Sequence, residues 1–189
     1  MSGVILVRHA MPEVVRGAPP RSWGLGERGR EDCVLLAHAL AGRALAGAFS
    51  STEPKARQTA DVIALRLGLH VVVEDVRFGE VERPAAWAAD HRDLVRRYLE
   101  GEDHDGWEAR GAAIARFGAA AAAARGRAGG GDILIATHGT VMALWAGAIT
   151  GMADPAAWWA SLTFPDAWRI NLHDGAMEHL FNAGTAAGA

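Results

Sequence analysis

The chain reads as an α/β protein: a three-layer sandwich with a mostly parallel central sheet, helices on both faces and a C-terminal antiparallel hairpin. Three observations predict this. Val4-Ile5-Leu6-Val7 and Ile133-Leu134-Ile135-Ala136 are unbroken apolar runs that do not alternate toward water, as strands covered on both faces must be. The segments between them carry apolar residues at helical spacing, so strands and helices alternate along the chain. Near the end, Asp174-Gly175 separates two short alternating runs, a strong hairpin signal.

Composition sets the outer bounds. A chain of 189 residues with 50% hydrophobic and 22% charged residues suits one globular domain spanning 1–189. No linker or internal repeat divides it. The net charge of −3 provides no field that would gather nucleic acid or an acidic membrane. Its single cysteine, Cys33, cannot close an internal disulfide, which suits a reducing compartment. No apolar run approaches the roughly 18 residues of a membrane span, and the opening has no signal-peptide pattern. The expectation is a cytoplasmic protein.

The elements follow in order. Val4 to Val7 forms the first strand, and Met11 to Gly26, with Pro12, Pro19 and Pro20, reads as a loop. A loop after such a strand often shapes a pocket, so Trp23 and Leu25 are candidate lining residues. From Glu27 to Leu45 the spacing of Val34, Leu35, Ala37, Leu40 and Ala41 predicts an amphipathic helix, with Cys33 as a small buried thiol. Leu45 to Phe49 is a second strand. Ser50 to Pro54 starts a helix with hydroxyl caps available, Ala56, Ala60, Ile63, Ala64 and Leu67 form its apolar face, and Gly68 closes it. His70 to Val76 is a third strand, followed by a charged loop holding Glu80 and Glu82. Helices are predicted over Asp90 to Leu99 and, rich in alanine, over Trp107 to Arg125; the glycines of 126–131 end the latter. Asp132 to Thr137 is the next strand and Val141 to Ile149 the next helix. A tryptophan-rich segment leads to the hairpin strands Trp168 to Leu172 and Met177 to Phe181, and Gly184 to Ala189 reads as a frayed end.

Chemistry gathers where strands stop. Arg8 and His9 end the first strand, at the carboxyl edge where open α/β sheets bind ligands. Arginine offers a planar fork for phosphate or carboxylate, and histidine a nucleophile or proton carrier. His138 ends a second buried strand, with Gly139 allowing close backbone approach and Thr140 beside it at a helix start. Arg57 stands near the start of the second predicted helix, where unpaired N–H groups and the dipole also suit an anion; alone it would read as a solvated surface arginine beside Lys55.

Leu6-Val7-Arg8-His9-Ala10 resembles the Arg-His-Gly/Ala signature of the histidine phosphatase superfamily, the phosphoglycerate mutase-like fold. Ser50-Ser51 with Arg57-Gln58-Thr59-Ala60 resembles its second motif, Thr137-His138-Gly139 its third, and Gly26-Glu27-Arg28-Gly29 the helix start between the first two. The resemblance implies a phosphohistidine on His9, with Arg8, Arg57 and His138 around the phosphoryl oxygens; Gly139, Thr140 and Trp23 are the further candidates for substrate binding. It implies a carboxyl that protonates the leaving oxygen. Alternation alone leaves Glu80 and Glu82 open, whereas Phe78-Gly79-Glu80 matches the family's apolar-x-Glu context. It also implies a small phosphorylated substrate, no metal and no other cofactor, and leaves a homodimer open. Glu82-Arg83-Pro84 and Trp87 depart from the commoner continuation after the acid. Because mutases of this fold are generally longer, the expected activity is phosphomonoester hydrolysis; a phosphoglycerate mutase-type phosphotransferase and a catalytically silent phospho-ligand binder are the alternatives.

Overall fold

Strands covered on both faces must lie between two layers of helices, and that is how the chain folds. A computed structural model describes residues 3–84 and 90–184. Within these, β1 (Gly3–Arg8), β2 (Leu45–Ser50), β3 (Val72–Glu74), β4 (Asp132–Thr137), β5 (Asp166–Asn171) and β6 (Met177–Asn182) form one sheet in the order β3-β2-β4-β1-β5-β6. β1 pairs with β4, and β2 with both β4 and β3, in parallel. β5 runs antiparallel to β1 and to β6, which makes the C-terminal hairpin.

The helices are α1 (Glu27–Ala39), α2 (Pro54–Arg66), α3 (His91–Glu100), α4 (Arg110–Ala128), α5 (Gly139–Thr150) and α6 (Pro155–Ser161). Alternation along β1 divides the core: Val4 and Leu6 join Phe78, Phe117, Ile133, Ile135 and Met142, whereas Ile5 and Val7 join Leu36, Leu40, Ala60, Ile63 and Leu134 beneath α1 and α2. Each buried side chain of this size contributes about 1.5–3 kcal/mol through water exclusion. Cys33 is buried against Ala10 and Leu25, and burial pushes its thiol up to about 12, so it packs rather than reacts.

Boundaries moved where local signals competed with packing. The first helix stops at Ala39 and not near Leu45, because the chain turns at Gly42 (φ +83°) to enter β2. β3 keeps three residues of the seven expected, since only 72–74 have β2 beside them. The tryptophan-rich segment contains a helix, α6, whose start is capped by Asp154 accepting from Ala157 N–H at 2.8 Å, with Pro155 in its first turn. Ser50 and Ser51 do not cap α2; Glu53 occupies the N-cap position without a side-chain cap bond. Residues 185–189 of the expected frayed end, and Trp87, lie outside the described residues. Among the described residues no helix is long and apolar enough to cross a membrane.

Candidate active site

The parallel register brings three chain segments to one edge of the sheet. His9 N–H donates to Thr137 O at 3.0 Å and Ser51 N–H to Ala136 O at 3.0 Å, so the ends of β1, β2 and β4 are tied side by side. His9 and His138 thereby meet with ring centroids 5.2 Å apart, and both are buried, at 6% and 1% exposure.

Each ring is held in a definite state. His9 Nδ1 lies 2.8 Å from Ala10 O; a carbonyl only accepts, so Nδ1 carries the proton and Nε2 keeps its lone pair. His138 Nε2 lies 2.9 Å from Ser51 Oγ. Burial, with His138 and Lys55 adding to it, holds His9 well below the ordinary histidine range; burial, with Lys55, Arg83 and Arg8, does the same to His138. Both are neutral at pH 7, which leaves His9 nucleophilic.

Arg8 supplies fixed charge. One end of its guanidinium donates to Leu162 O at 2.7 Å, its plane lies 3.6 Å over the Phe164 ring, and its buried Nε–H has no protein partner among the described residues. Burial lowers it to about 10, still cationic at neutral pH. Gly139 permits this approach, since a Cβ there would lie 3.1 Å from both Arg8 Nε and Trp159 Nε1.

Arg57 is not brought to the cluster. Its side chain, 33% exposed, donates to Asp61 Oδ1 at 2.8 Å and pairs with Glu74. It lines a surface hollow of about 450 Å³ with Asp61, His70 and Val71, along α2 and β3. The buried cation from this helix is Lys55, whose Nζ donates to Pro20 O at 2.9 Å and to Glu53, and whose charge depresses both histidines. Two residues along a helix is a turn of about 200°, so Lys55 and Arg57 point to nearly opposite sides. Burial of Lys55, Ala56, Thr59, Ala60, Ile63 and Ala64 marks the inward face. That face was legible in the apolar pattern, and Lys55, four before Thr59, lies on it.

The rest of the second motif knits loops. Thr59 Oγ1 accepts from Ala10 N–H at 3.0 Å and donates to Lys55 O at 2.7 Å, while Gln58 Oε1 accepts from Leu25 N–H at 2.8 Å. Gly29 is required where α1 meets the chain after His9, because a Cβ would fall 2.3 Å from Met11 O. Trp23 is buried, at 8% exposure, and donates to Ala18 O at 3.1 Å within the 11–26 loop.

Glu80 and Glu82 differ sharply. The Glu80 carboxylate accepts from Val81 N–H at 2.9 Å, Thr140 N–H at 3.2 Å and Val141 N–H at 2.9 Å, so it docks on the start of α5. Desolvation works against its charge, but Arg83 and these three donors outweigh it and hold the carboxyl below its ordinary range. Thr140 therefore gives its N–H to Glu80. Glu82 is exposed, and its backbone pairs with Glu108: its N–H donates to Glu108 Oε2 at 3.3 Å and its O accepts from Glu108 N–H at 2.8 Å. Arg116, which sequence reasoning missed, braces the loop by donating to Arg77 O at 2.7 Å, Gly79 O at 3.2 Å and Glu80 O at 3.4 Å, and to Glu108. Nothing in its position on an alanine-rich helix signals that role. Among the described residues no three His, Cys, Asp or Glu side chains converge as a metal ion would need.

A parallel sheet edge thus brings together two neutral histidines, a buried arginine and a buried lysine, a set whose charge and donors suit an oxyanion. Residues 4–177 match the histidine phosphatase superfamily (branch 1), and the chain belongs to that family. Its fold is shared with a mycobacterial glucosyl-3-phosphoglycerate phosphatase solved with VO3 (22% identity, 96% of this chain and 99% of that one, TM-score 0.73). It is shared too with a phosphoglycerate mutase from Bacillus anthracis (14% identity, 97% and 92%, TM-score 0.73). "Mycobacterial hydrolase 1" is a third such structure (20% identity, 96% and 99%, TM-score 0.71). No curated protein sequence matches the chain significantly. Since the chain covers 92% of the mutase, length does not separate hydrolase from mutase, contrary to the expectation from sequence.

Proposed function

We propose that the chain is a phosphomonoester hydrolase working through a phosphohistidine on His9. The observation that carries this is the His9 ring itself: Nδ1–H locked on Ala10 O, and an unprotonated Nε2 beside Arg8, Lys55 and His138. Nε2 attacks phosphorus, the P–O bond to the leaving group breaks, and that oxygen takes a proton. Water then attacks the phosphohistidine, the P–N bond breaks, and inorganic phosphate leaves with His9 neutral again. Arg8 and Lys55 hold the phosphoryl oxygens throughout, and His138 adds a donor once it is protonated or reoriented.

Glu80 is the carboxyl assigned to the leaving oxygen. It begins as a carboxylate, so it acts as an acid only after taking a proton, which a nearby phosphoryl dianion favours. Hydrolysis is preferred over transfer because water is the one acceptor that needs no second binding site.

The test is His9→Ala assayed on nitrophenyl phosphate, with chelator present and no phosphoryl acceptor added. The wild type should turn over and trap a labelled phosphoenzyme on acid quench, and the variant should do neither. Normal turnover by the variant refutes the assignment. Wild-type turnover that vanishes on chelation points to a different chemistry.

A further inference from the structure

We propose that Glu53 is a positioning residue of the phosphate site, which holds the Lys55 ammonium while the site is empty and takes up a proton from solvent when an oxyanion binds. The inference rests on reading that site as a phosphate site. Glu53 stands at the N-cap position of α2 but its carboxylate makes no cap hydrogen bond to the helix N–H groups. It pairs with Lys55 Nζ, accepts from the Glu80 backbone N–H, and places Oε1 3.6 Å from His138 Nε2. Its side chain is 19% exposed and that of Lys55 9%, so water screens the pair poorly.

A carboxylate here conflicts with oxyanion binding in two ways. It occupies the same ammonium that an incoming phosphoryl oxygen needs, and its charge repels that oxygen. Protonation removes both conflicts, because a neutral carboxyl releases Lys55 and can donate a hydrogen bond to the anion. The charged groups facing it are Lys55 from α2, His138 at the start of α5, and Glu80 from the loop after β3, with Arg83 acting on the latter two. Burial already raises the Glu53 carboxyl, the Glu80 charge adds to this and Lys55 opposes it; a bound dianion would raise it further. The proton comes from bulk water, and no other bond is made or broken.

The probe is tungstate, a tetrahedral dianion, measured as an inhibitor from pH 6.5 to 9 at fixed ionic strength, with proton uptake counted by titration calorimetry in buffers of different ionisation heat. Between the pKa of Glu53 in the empty site and its higher value in the filled one, wild-type affinity should fall about tenfold per pH unit. Glu53→Gln should bind more tightly at pH 8–9, take up one proton fewer, and lower KM more than kcat. Glu53→Met, equally unable to titrate, is the second variant, and both should keep the cooperative melting of the wild type. If both variants retain the wild-type pH slope and proton count, the uptake belongs to His9, His138 or Glu80 and the proposal falls. If the wild type neither binds tungstate nor hydrolyses an aryl phosphate, the phosphate-site reading falls, and this proposal with it.

Discussion

Exchanging the charge at position 55 or at position 57 separates two accounts of which cation on α2 serves the phosphoryl group. Lys55 is 7% exposed and its charge reaches both site histidines, whereas Arg57 is engaged by Asp61 and Glu74 at the surface. Two unit charges about 4 Å apart attract by about 4 kcal/mol at an effective dielectric of about 20. Arg8 remains and water fills part of the gap, so Lys55→Met should cost about 3 kcal/mol of transition-state stabilisation, roughly 10²-fold in kcat/KM. Lys55→Arg keeps the charge and should recover much of this. An exposed ion pair contributes about 0–1 kcal/mol, so Arg57→Ala should leave kcat/KM within about twofold and lower stability slightly. The assay is steady-state hydrolysis of nitrophenyl phosphate, with thermal melts to show that each variant is folded. If Arg57→Ala loses as much activity as Lys55→Met, the geometric argument is refuted.

Two further outcomes follow from the same arrangement. Glu80→Gln should slow hydrolysis of an alkyl phosphate by about 10²–10⁴-fold and of a nitrophenyl phosphate far less, because a phenolate leaves without a proton. Glu82→Gln should change both little, and the reverse pattern would move the acid to Glu82. The second outcome concerns acid stability. His9 has a folded pKa below its unfolded value, so the unfolded chain binds the extra proton below about pH 6.5 and the native state loses stability as pH falls toward the folded pKa. From pH 7.5 to 5.5 that loss is about 1.4 kcal/mol for one such histidine. Denaturant melts should therefore show His9→Gln losing about that much less than the wild type over this interval. The depressed carboxyls of Asp75, Glu108 and Asp132 lose their contribution only below their unfolded values near pH 4, outside the interval, and an equal loss in both proteins would refute the shift at His9.

Much of the fold was legible because burial on both faces leaves a direct mark on sequence. β1 and β4 carry no alternation, so their place at the centre of the sheet follows from composition alone, and Asp174-Gly175 announces the hairpin. Three things were not legible. The end of β3 depends on how far β2 runs beside it, which no local residue encodes. α6 is only seven residues long, too short for periodicity to show, and its signal was the Asp154-Pro155 start. Arg116 acts through backbone carbonyls some 36–39 residues away, a contact that side-chain patterns cannot announce.

The strand ends of the candidate site were legible, whereas the facing of its helix was not, for a physical reason. A strand end has one direction to point, so Arg8, His9 and His138 are located once their strands are. A helix start offers several directions about 100° apart, and proximity along the chain says nothing about facing. Arg57 was assigned to the site through the resemblance of Arg57-Gln58-Thr59-Ala60 to the family's second motif, whereas the dipole and free N–H groups of α2 alone left it a solvated surface arginine. The stronger constraint was the apolar face through Ala56, Ala60 and Ile63, which fixes the inward direction and puts Lys55 on its border. A lysine at that border carries a flexible stem through apolar packing and delivers its charge inside, and burying it requires a partner. Glu53 is that partner, two residues earlier, and its carboxylate is what a guanidinium reading of this motif would never have called for. Where a buried cation serves a substrate anion, the group that neutralises it in the substrate's absence belongs to the site's chemistry, and its titration governs when the anion can enter.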